Sequence, residues 1–101
     1  MQHRTLGTSG LKVSAVGLGC SNLGGTLDPA ASRQVIHKAL DLGITLFDTA
    51  DGYGNDGGSE RSLGECLGAR RQDIVLATKF GSPNAMANPE AMNGGSRRYV
   101  I

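Results

Sequence analysis

Short apolar runs alternate with helical segments along this chain. Residues 14–19, 44–47 and 74–77 form apolar runs that are too short for helices and are bounded by glycine or polar residues, so we expect three strands, of which the first is buried. The last run is almost continuously apolar, which is typical of a parallel strand covered on both faces. Strands separated by helical segments at this spacing predict right-handed βαβ units and a parallel sheet.

The first helical segment carries signals at both ends. Asp28 is suited to cap a helix whose first position is Pro29, and Gly43 supplies a stop. Between them the apolar residues fall mainly on one stripe, which indicates a helix packed on one face. These residues are Val35, Ile36, Ala39, Leu40 and Leu42.

A second, shorter helix is predicted after a glycine-rich loop. Ser59 is suited to be its N-cap, Leu63 and Leu67 are expected to point inward, and Gly68 terminates the helix. Upstream of the sheet, residues 4–13 alternate around a Gly-Thr-Ser-Gly turn and predict a β-hairpin.

The segment 81–101 is predicted to be a loop followed by the start of a helix. Its first part, residues 81–95, shows neither helical nor strand periodicity. Ser96 is placed to cap a helix that begins at Arg97 and is interrupted after about one turn. With 101 residues the chain has room for one domain, residues 1–101. The expected fold is α/β, with an N-terminal hairpin, three parallel strands and two helices.

Polar side chains follow two of the predicted strands. Asp48 comes directly after Phe47, and Lys79 follows Thr78. In parallel α/β folds reacting groups gather at the carboxyl ends of strands. Neighbouring ends lie about 4.8 Å apart, which allows a carboxylate to pair with an ammonium. Asp51 is an alternative carboxylate for this pair.

Tyr53 lies in the loop beyond Asp48, where its phenol can fold back over the strand ends. A phenol ionises near pH 10, and a neighbouring cation lowers the pKa of a phenol. A phenol beside Lys79 would therefore be suited to donate a proton to a carbonyl oxygen while hydride arrives at the carbon.

These residues belong to a longer pattern. It consists of FDTADGYG at 47–54, SE at 59–60, LG at 63–64, LATKF at 76–80, RTLGTSGLKV at 4–13 and GLG at 17–19. The pattern covers nearly the whole chain and resembles the aldo-keto reductase family. The resemblance implies part of a TIM-type (β/α)8 barrel whose bottom is closed by the hairpin, and an NADPH-dependent oxidoreductase that reduces aldehydes or ketones to alcohols.

The resemblance also implies roles for individual residues. Tyr53 would be the proton donor, Lys79 the cation that assists it, and Asp48 the support of the lysine, close to the nicotinamide ribose. Gly19, Cys20 and Ser21 match positions that line the cofactor end of the first strand.

Two parts of the family pattern have no counterpart. The only histidines are His3 and His37, neither of which matches the family's catalytic histidine, and the late segments that grip the adenosine phosphate are absent. A complete barrel takes about 250 residues. We therefore expect a truncated fragment that is inactive by itself and whose open sheet edges favour self-association.

Other classes of function are disfavoured. The formal charge of +1 predicts no nucleic-acid or membrane partner, and the absence of a signal-like or membrane-spanning apolar run predicts a cytoplasmic protein. Cys20 and Cys66 lack the spacing of a metal site and are expected to be structural. His37 is expected on the solvent face of its helix.

Two alternatives to the reductase hypothesis remain at this point. One is a non-catalytic interaction module that uses exposed barrel edges. The other is a Rossmann-type dinucleotide binder, in which Gly17 and Gly19 would approach the phosphates and Asp48 the ribose. The second is weaker, because the dinucleotide fingerprint requires a third glycine where Asn22 stands.

Overall fold

The computed structural model describes residues 1–81 and 95–100. Strands β1 (His3–Thr5) and β2 (Lys12–Ser14) form the predicted antiparallel hairpin, with Arg4 opposite Val13. The turn between them depends on two glycines, because Gly7 and Gly10 have φ angles of 55° and 79°.

A three-stranded parallel sheet follows the hairpin. Its strands are β3 (Gly17–Gly19), β4 (Leu46–Asp48) and β5 (Val75–Ala77), in the order β3-β4-β5. The predicted parallel arrangement is confirmed, and Phe47 at the centre of β4 is fully buried.

The prediction of a buried first strand over residues 14–19 was wrong in two respects. Ser14 ends β2 instead, and its buried hydroxyl accepts a hydrogen bond from the backbone N–H of Thr45 at 2.9 Å, which joins the hairpin to the sheet. Within the described part of the chain β3 pairs only with β4, so it is an edge strand and its Leu18 is only half-buried.

Helix α1 (Pro29–Asp41) has the predicted ends. The Asp28 carboxylate accepts a hydrogen bond from the Ala31 backbone N–H at 2.8 Å, and Gly43 has a φ of 79°. The buried stripe is narrower than predicted, since Val35 and Leu42 are 37% and 57% exposed.

Helix α2 (Tyr53–Leu67) contains a kink at Gly54–Gly57, where all four residues have positive φ, so its regular part begins only after Gly57, close to the predicted start. A 3₁₀ helix, Gly68–Asp73, leads to β5. The prediction of Ser59 as an N-cap was wrong, because Ser59 is fully buried and its hydroxyl bonds to other parts of the chain.

The core lies between the sheet and the helices α1 and α2, which pack on each other. Its buried members are Cys20, Leu23, Ile36, Ala39, Leu40, Phe47, Leu63, Leu67 and Ile74. Leu63 and Leu67 point inward as predicted.

A last short helix, α3 (Arg97–Val100), begins where the sequence predicted it. Most of the predicted loop before it, residues 82–94, lies outside the described residues. In the described part of the chain no helix is both long enough and apolar enough to cross a membrane.

Candidate active site

The carboxyl ends of β4 and β5 bring Asp48 and Lys79 together. The Lys79 ammonium donates to the Asp48 carboxylate at 2.7 Å and to the Thr49 carbonyl at 2.9 Å. Pairing between the two chain segments continues past the strands, since the Asp51 N–H donates to the Lys79 carbonyl at 3.0 Å. The backbone ladder thus fixes the separation of the two charged side chains.

Both partners of this ion pair are open to solvent, with exposed fractions of 48% for Lys79 and 53% for Asp48. The hydrogen bond to Asp48 is the main cause that raises the pKa of Lys79 above its ordinary 10.5, against the opposing effect of partial desolvation. The lysine is therefore a cation at neutral pH, and its exposed fraction leaves it accessible to a ligand.

Tyr53 completes the group. Its ring lies beside the ammonium, with the Lys79 Nζ atom 4.9 Å from the ring centroid. A cation at this distance over an aromatic face is attracted by the ring quadrupole. The structure thus brings all three predicted catalytic residues to one end of the sheet.

A cleft opens beside Tyr53 and Lys79, and its volume of about 380 Å³ is suited to a small ligand. It is lined by Ala50, Asp51, Gly52, Tyr53, Lys79, Phe80 and Gly81. A second cleft of about 410 Å³ shares Asp51, Lys79 and Phe80 with the first and extends to Tyr99 on α3. Phe80 is 61% exposed and offers an apolar surface to both clefts.

The structure decides between the two candidate carboxylates for Lys79. Asp51 accepts a hydrogen bond from the Tyr99 hydroxyl at 2.8 Å, and its other carboxylate oxygen is buried without a hydrogen-bond partner in the described residues. Lys79 pairs with Asp48 instead. The hydrogen bond to Asp51 is also the main cause that raises the pKa of Tyr99.

Sequence reasoning missed Tyr99, because a contact across 48 positions leaves no local signal. It also missed the hydrogen bond from the Thr78 hydroxyl to the Glu60 carboxylate, at 2.6 Å, which joins α2 to the chain just beyond β5.

The three residues assigned to the cofactor end of the first strand differ in accessibility. Gly19 and Ser21 are exposed, and a Cβ at Gly19 would meet nothing within 4 Å. Cys20 is fully buried, and this burial raises the pKa of its thiol to about 11. Neither the thiol nor the backbone of Cys20 is open to a ligand, because the whole residue is buried and its N–H donates to the Asp48 carbonyl at 2.9 Å.

A buried chain of hydroxyl groups supports this end of the sheet. The Ser59 hydroxyl donates to the Cys20 carbonyl at 2.7 Å, so the Thr49 hydroxyl must donate to Ser59 Oγ, at 2.8 Å. Because the Thr49 carbonyl accepts a hydrogen bond from Lys79, the two hydroxyl groups connect α2 and the loop after β3 to the ion pair. The sequence signal for Ser59 pointed to a helix cap and hid this role.

His37 also differs from its prediction. It is half-buried, and its Nε2 atom lies 3.1 Å from the Cys66 carbonyl. Since a carbonyl can only accept, Nε2 carries the hydrogen and joins α1 to α2. The prediction that His37 lies on the solvent face was wrong because α2 packs against that side of α1.

The Rossmann alternative does not fit the described backbone. The first helix after Gly19 begins at Pro29, so no helix N-terminus follows the glycine turn directly.

Comparison with known proteins decides the family. The model of the aldo/keto reductase family matches residues 15–101, which is most of the chain. The chain belongs to the aldo-keto reductase family. It is 46% identical over 82 residues to the uncharacterized oxidoreductase YqkF of Bacillus subtilis, an alignment that covers 81% of this chain and 26% of that protein. It is 38% identical over 107 residues to an L-glyceraldehyde 3-phosphate reductase of Escherichia coli, and this alignment covers 100% of this chain and 30% of that protein.

Solved structures agree with this assignment. The holo form of the aldo-keto reductase AKR11C1 from Bacillus halodurans superposes with a TM-score of 0.73 and 48% identity over 80% of this chain. The superposition covers 26% of that reductase. The predicted partial α/β barrel is thereby confirmed. This aldo-keto reductase chain spans between a quarter and a third of the length of the relatives it matches.

Proposed function

We propose that this chain supplies the proton-transfer part of an NADPH-dependent reductase site for small aldehydes or ketones. The observation that carries the proposal is the position of the Lys79 ammonium, which is 2.7 Å from the Asp48 carboxylate and 4.9 Å from the centre of the Tyr53 ring, beside an open cleft. The chain accordingly forms the N-terminal part of a barrel domain.

The chemistry assigns one task to each side chain. The Tyr53 phenol donates its proton to the carbonyl oxygen as hydride adds to the carbonyl carbon, which yields the alcohol and leaves a phenolate. Lys79 stabilises that phenolate by its charge, and Asp48 holds the ammonium in place. Phe80 offers an apolar contact for the rest of the substrate.

The described residues fit the reactive end of a nicotinamide cofactor. The space at Gly19 is open, and the half-exposed Asp48 carboxylate lies at the adjacent strand end, where it can accept from a ribose hydroxyl. When bound, the cofactor would supply the hydride. The choice of NADPH over NADH rests on the family resemblance.

We further propose that the 101-residue chain is inactive by itself. Neither of its histidines lies at the site, because His3 is in β1 and His37 contacts Cys66. A positioned side chain that transfers a proton in the transition state commonly raises the rate by about 10² to 10⁴. The predicted cytoplasmic location and the predicted self-association through the sheet edges remain predictions.

A chimera tests the proposal. The matching segment of the Bacillus halodurans reductase is replaced by this chain, and aldehyde-dependent loss of NADPH absorbance is measured for the chimera and for the isolated chain. We expect turnover by the chimera and none by the isolated chain. Tyr53→Phe and Lys79→Met should each lower kcat by about 10² or more.

The matched control is Lys38→Met, which removes a lysine from the exposed face of α1 and should leave kcat unchanged. A chimera that turns over equally well with Tyr53→Phe would contradict the proposed proton donor. Turnover by the isolated chain would contradict the proposed inactivity. A stable, oligomeric chain whose chimera stays inactive would favour the interaction module.

A further inference from the structure

Tyr53 is followed by four residues in the left-handed region of backbone space. Their φ angles are 70° at Gly54, 56° at Asn55, 60° at Asp56 and 88° at Gly57. Glycine adopts these angles without steric cost, and asparagine and aspartate tolerate them better than other residues do. The backbone therefore makes a left-handed turn immediately after the candidate proton donor.

This turn packs directly against the loop that follows β3. A Cβ added to Gly54 would collide with the Leu23 carbonyl oxygen and would lie 2.6 Å from the Ser59 nitrogen. A Cβ at Gly24 would collide with the Gly58 carbonyl, and one at Gly58 would lie 2.5 Å from the Gly24 carbonyl oxygen. The two backbones touch with no room for a side chain between them.

The loop on the other side of this contact is anchored in the core. The Gly24 N–H donates to the buried Ser32 hydroxyl of α1 at 3.1 Å, and the Leu27 N–H donates to the Asn22 carbonyl at 2.9 Å. Leu23 itself is 1% exposed. The loop thus presents a fixed surface to the turn.

Within the proposed function, on which this inference rests, we propose that Gly24, Gly54 and Gly58 are positioning residues for Tyr53. Their backbone contact sets the start of α2 and so holds the phenol ring beside the Lys79 ammonium. A methyl group at the Gly58 position would lie about 1 Å closer to the Gly24 carbonyl oxygen than an ordinary van der Waals contact allows. A displacement of about 1 Å in a catalytic group can lower the rate about 100-fold.

The position of the ring can be measured without turnover. The full chain has two tyrosines and no tryptophan, so the ring signals of Tyr53 in a tyrosine-labelled NMR sample are assigned by comparison with Tyr99→Phe. Nuclear Overhauser effects between the Tyr53 ring and the Lys79 methylenes report their contact. The variants are Gly24→Ala and Gly54→Ala, with Gly64→Ala as the control because a Cβ there meets nothing within 4 Å.

We expect the contact to persist in Gly64→Ala and to be lost in Gly24→Ala and Gly54→Ala, while contacts within the core persist. Unchanged effects in both test variants would overturn the inference. If both variants fail to fold, Gly25→Ala decides, since its Cβ would lie 2.9 Å from the Gly54 Cα. Shifted Tyr53 ring signals in this variant support the inference, and signals equal to those of Gly64→Ala refute it.

The reductase chimera gives a second measurement. Gly24→Ala should lower kcat about 100-fold with a smaller change in KM, because the substrate contacts remain while the proton donor moves. A kcat equal to that of Gly64→Ala would overturn the inference. An inactive parent chimera would instead contradict the proposed function, and the ring contacts would still decide the positioning role.

Discussion

Ser59→Ala tests the buried hydroxyl chain that supports the candidate site. The Ser59 hydroxyl is fully buried, donates to the Cys20 carbonyl and accepts from the Thr49 hydroxyl. Alanine at this position removes both hydrogen bonds and changes little else in the volume of the side chain. The Cys20 carbonyl keeps one partner, the Leu23 N–H at 3.2 Å. The Thr49 hydroxyl, 1% exposed, loses its acceptor.

The expected loss of stability depends mainly on the Thr49 hydroxyl, because the Cys20 carbonyl keeps a hydrogen-bond partner. A buried hydroxyl left without a partner costs about 1–3 kcal/mol, whereas a carbonyl that keeps one of two partners costs less. We expect Ser59→Ala to lower the free energy of unfolding by about 2 kcal/mol. Thr49→Val leaves the bond from Ser59 to Cys20 intact and should cost about 1 kcal/mol.

The assay is urea unfolding of the full chain followed by far-UV circular dichroism. For a slope of about 1 kcal/mol/M, Ser59→Ala should lower the midpoint by about 2 M. The control is Ser62→Ala, the same change on the same helix, which should cost less than about 0.5 kcal/mol. The double variant Thr49→Val/Ser59→Ala should cost about 1 kcal/mol less than the sum of the single variants.

Two results would refute this reasoning. If Ser59→Ala is as stable as Ser62→Ala, the buried hydroxyl does not satisfy Thr49. If the costs of Thr49→Val and Ser59→Ala simply add, the two hydroxyls are not coupled.

Three further predictions use the same unfolding assay. Asp28→Ala removes the side-chain cap of α1 and should cost about 1 kcal/mol, and a cost equal to that of the exposed Asp73→Ala would contradict the cap. Burial raises the pKa of the Cys20 thiol from 9.0 in the unfolded chain to about 11 in the folded chain. Burying the thiol therefore costs no extra free energy below pH 9, where it is neutral in both states, but it lowers the free energy of unfolding as the pH rises from 9 to 11, where only the unfolded chain ionises. Relative to Cys20→Ala, the chain should therefore lose about 1.3 kcal/mol between about pH 8 and pH 10, and equal pH profiles would disprove the burial of the thiol. Lys79→Met should leave the urea midpoint near that of the parent chain, because its ion pair is half-exposed, so a large loss would show that the pair is structural.

Local signals predicted much of this structure correctly. The cap at Asp28, the stop at Gly43 and the glycine turn of the hairpin depend on residues within a few positions of each other. The order of strands and helices followed from the alternation of apolar runs, and the meeting of Lys79 with a carboxylate at one end of the sheet followed from the parallel strands. Each of these features is set by backbone conformation or by the periodicity of side chains.

Other features escaped sequence reasoning because their partners are remote in the chain. Ser59 has the pattern of a helix cap, yet its partners Thr49 and Cys20 are 10 and 39 positions away. His37 was assigned to solvent, yet it contacts α2 across 29 positions.

The sequence by itself determined the family, the α/β class and the meeting of Tyr53, Lys79 and an aspartate in the proposed proton-transfer group, because these depend on motifs and on the rule that parallel strands end at one edge. Only the tertiary structure decided which carboxylate pairs with Lys79, which hydroxyls are buried, and how Gly24 meets Gly54 and Gly58. These outcomes depend on distances between segments that are far apart in the chain, and such distances are fixed only when the helices pack on the sheet.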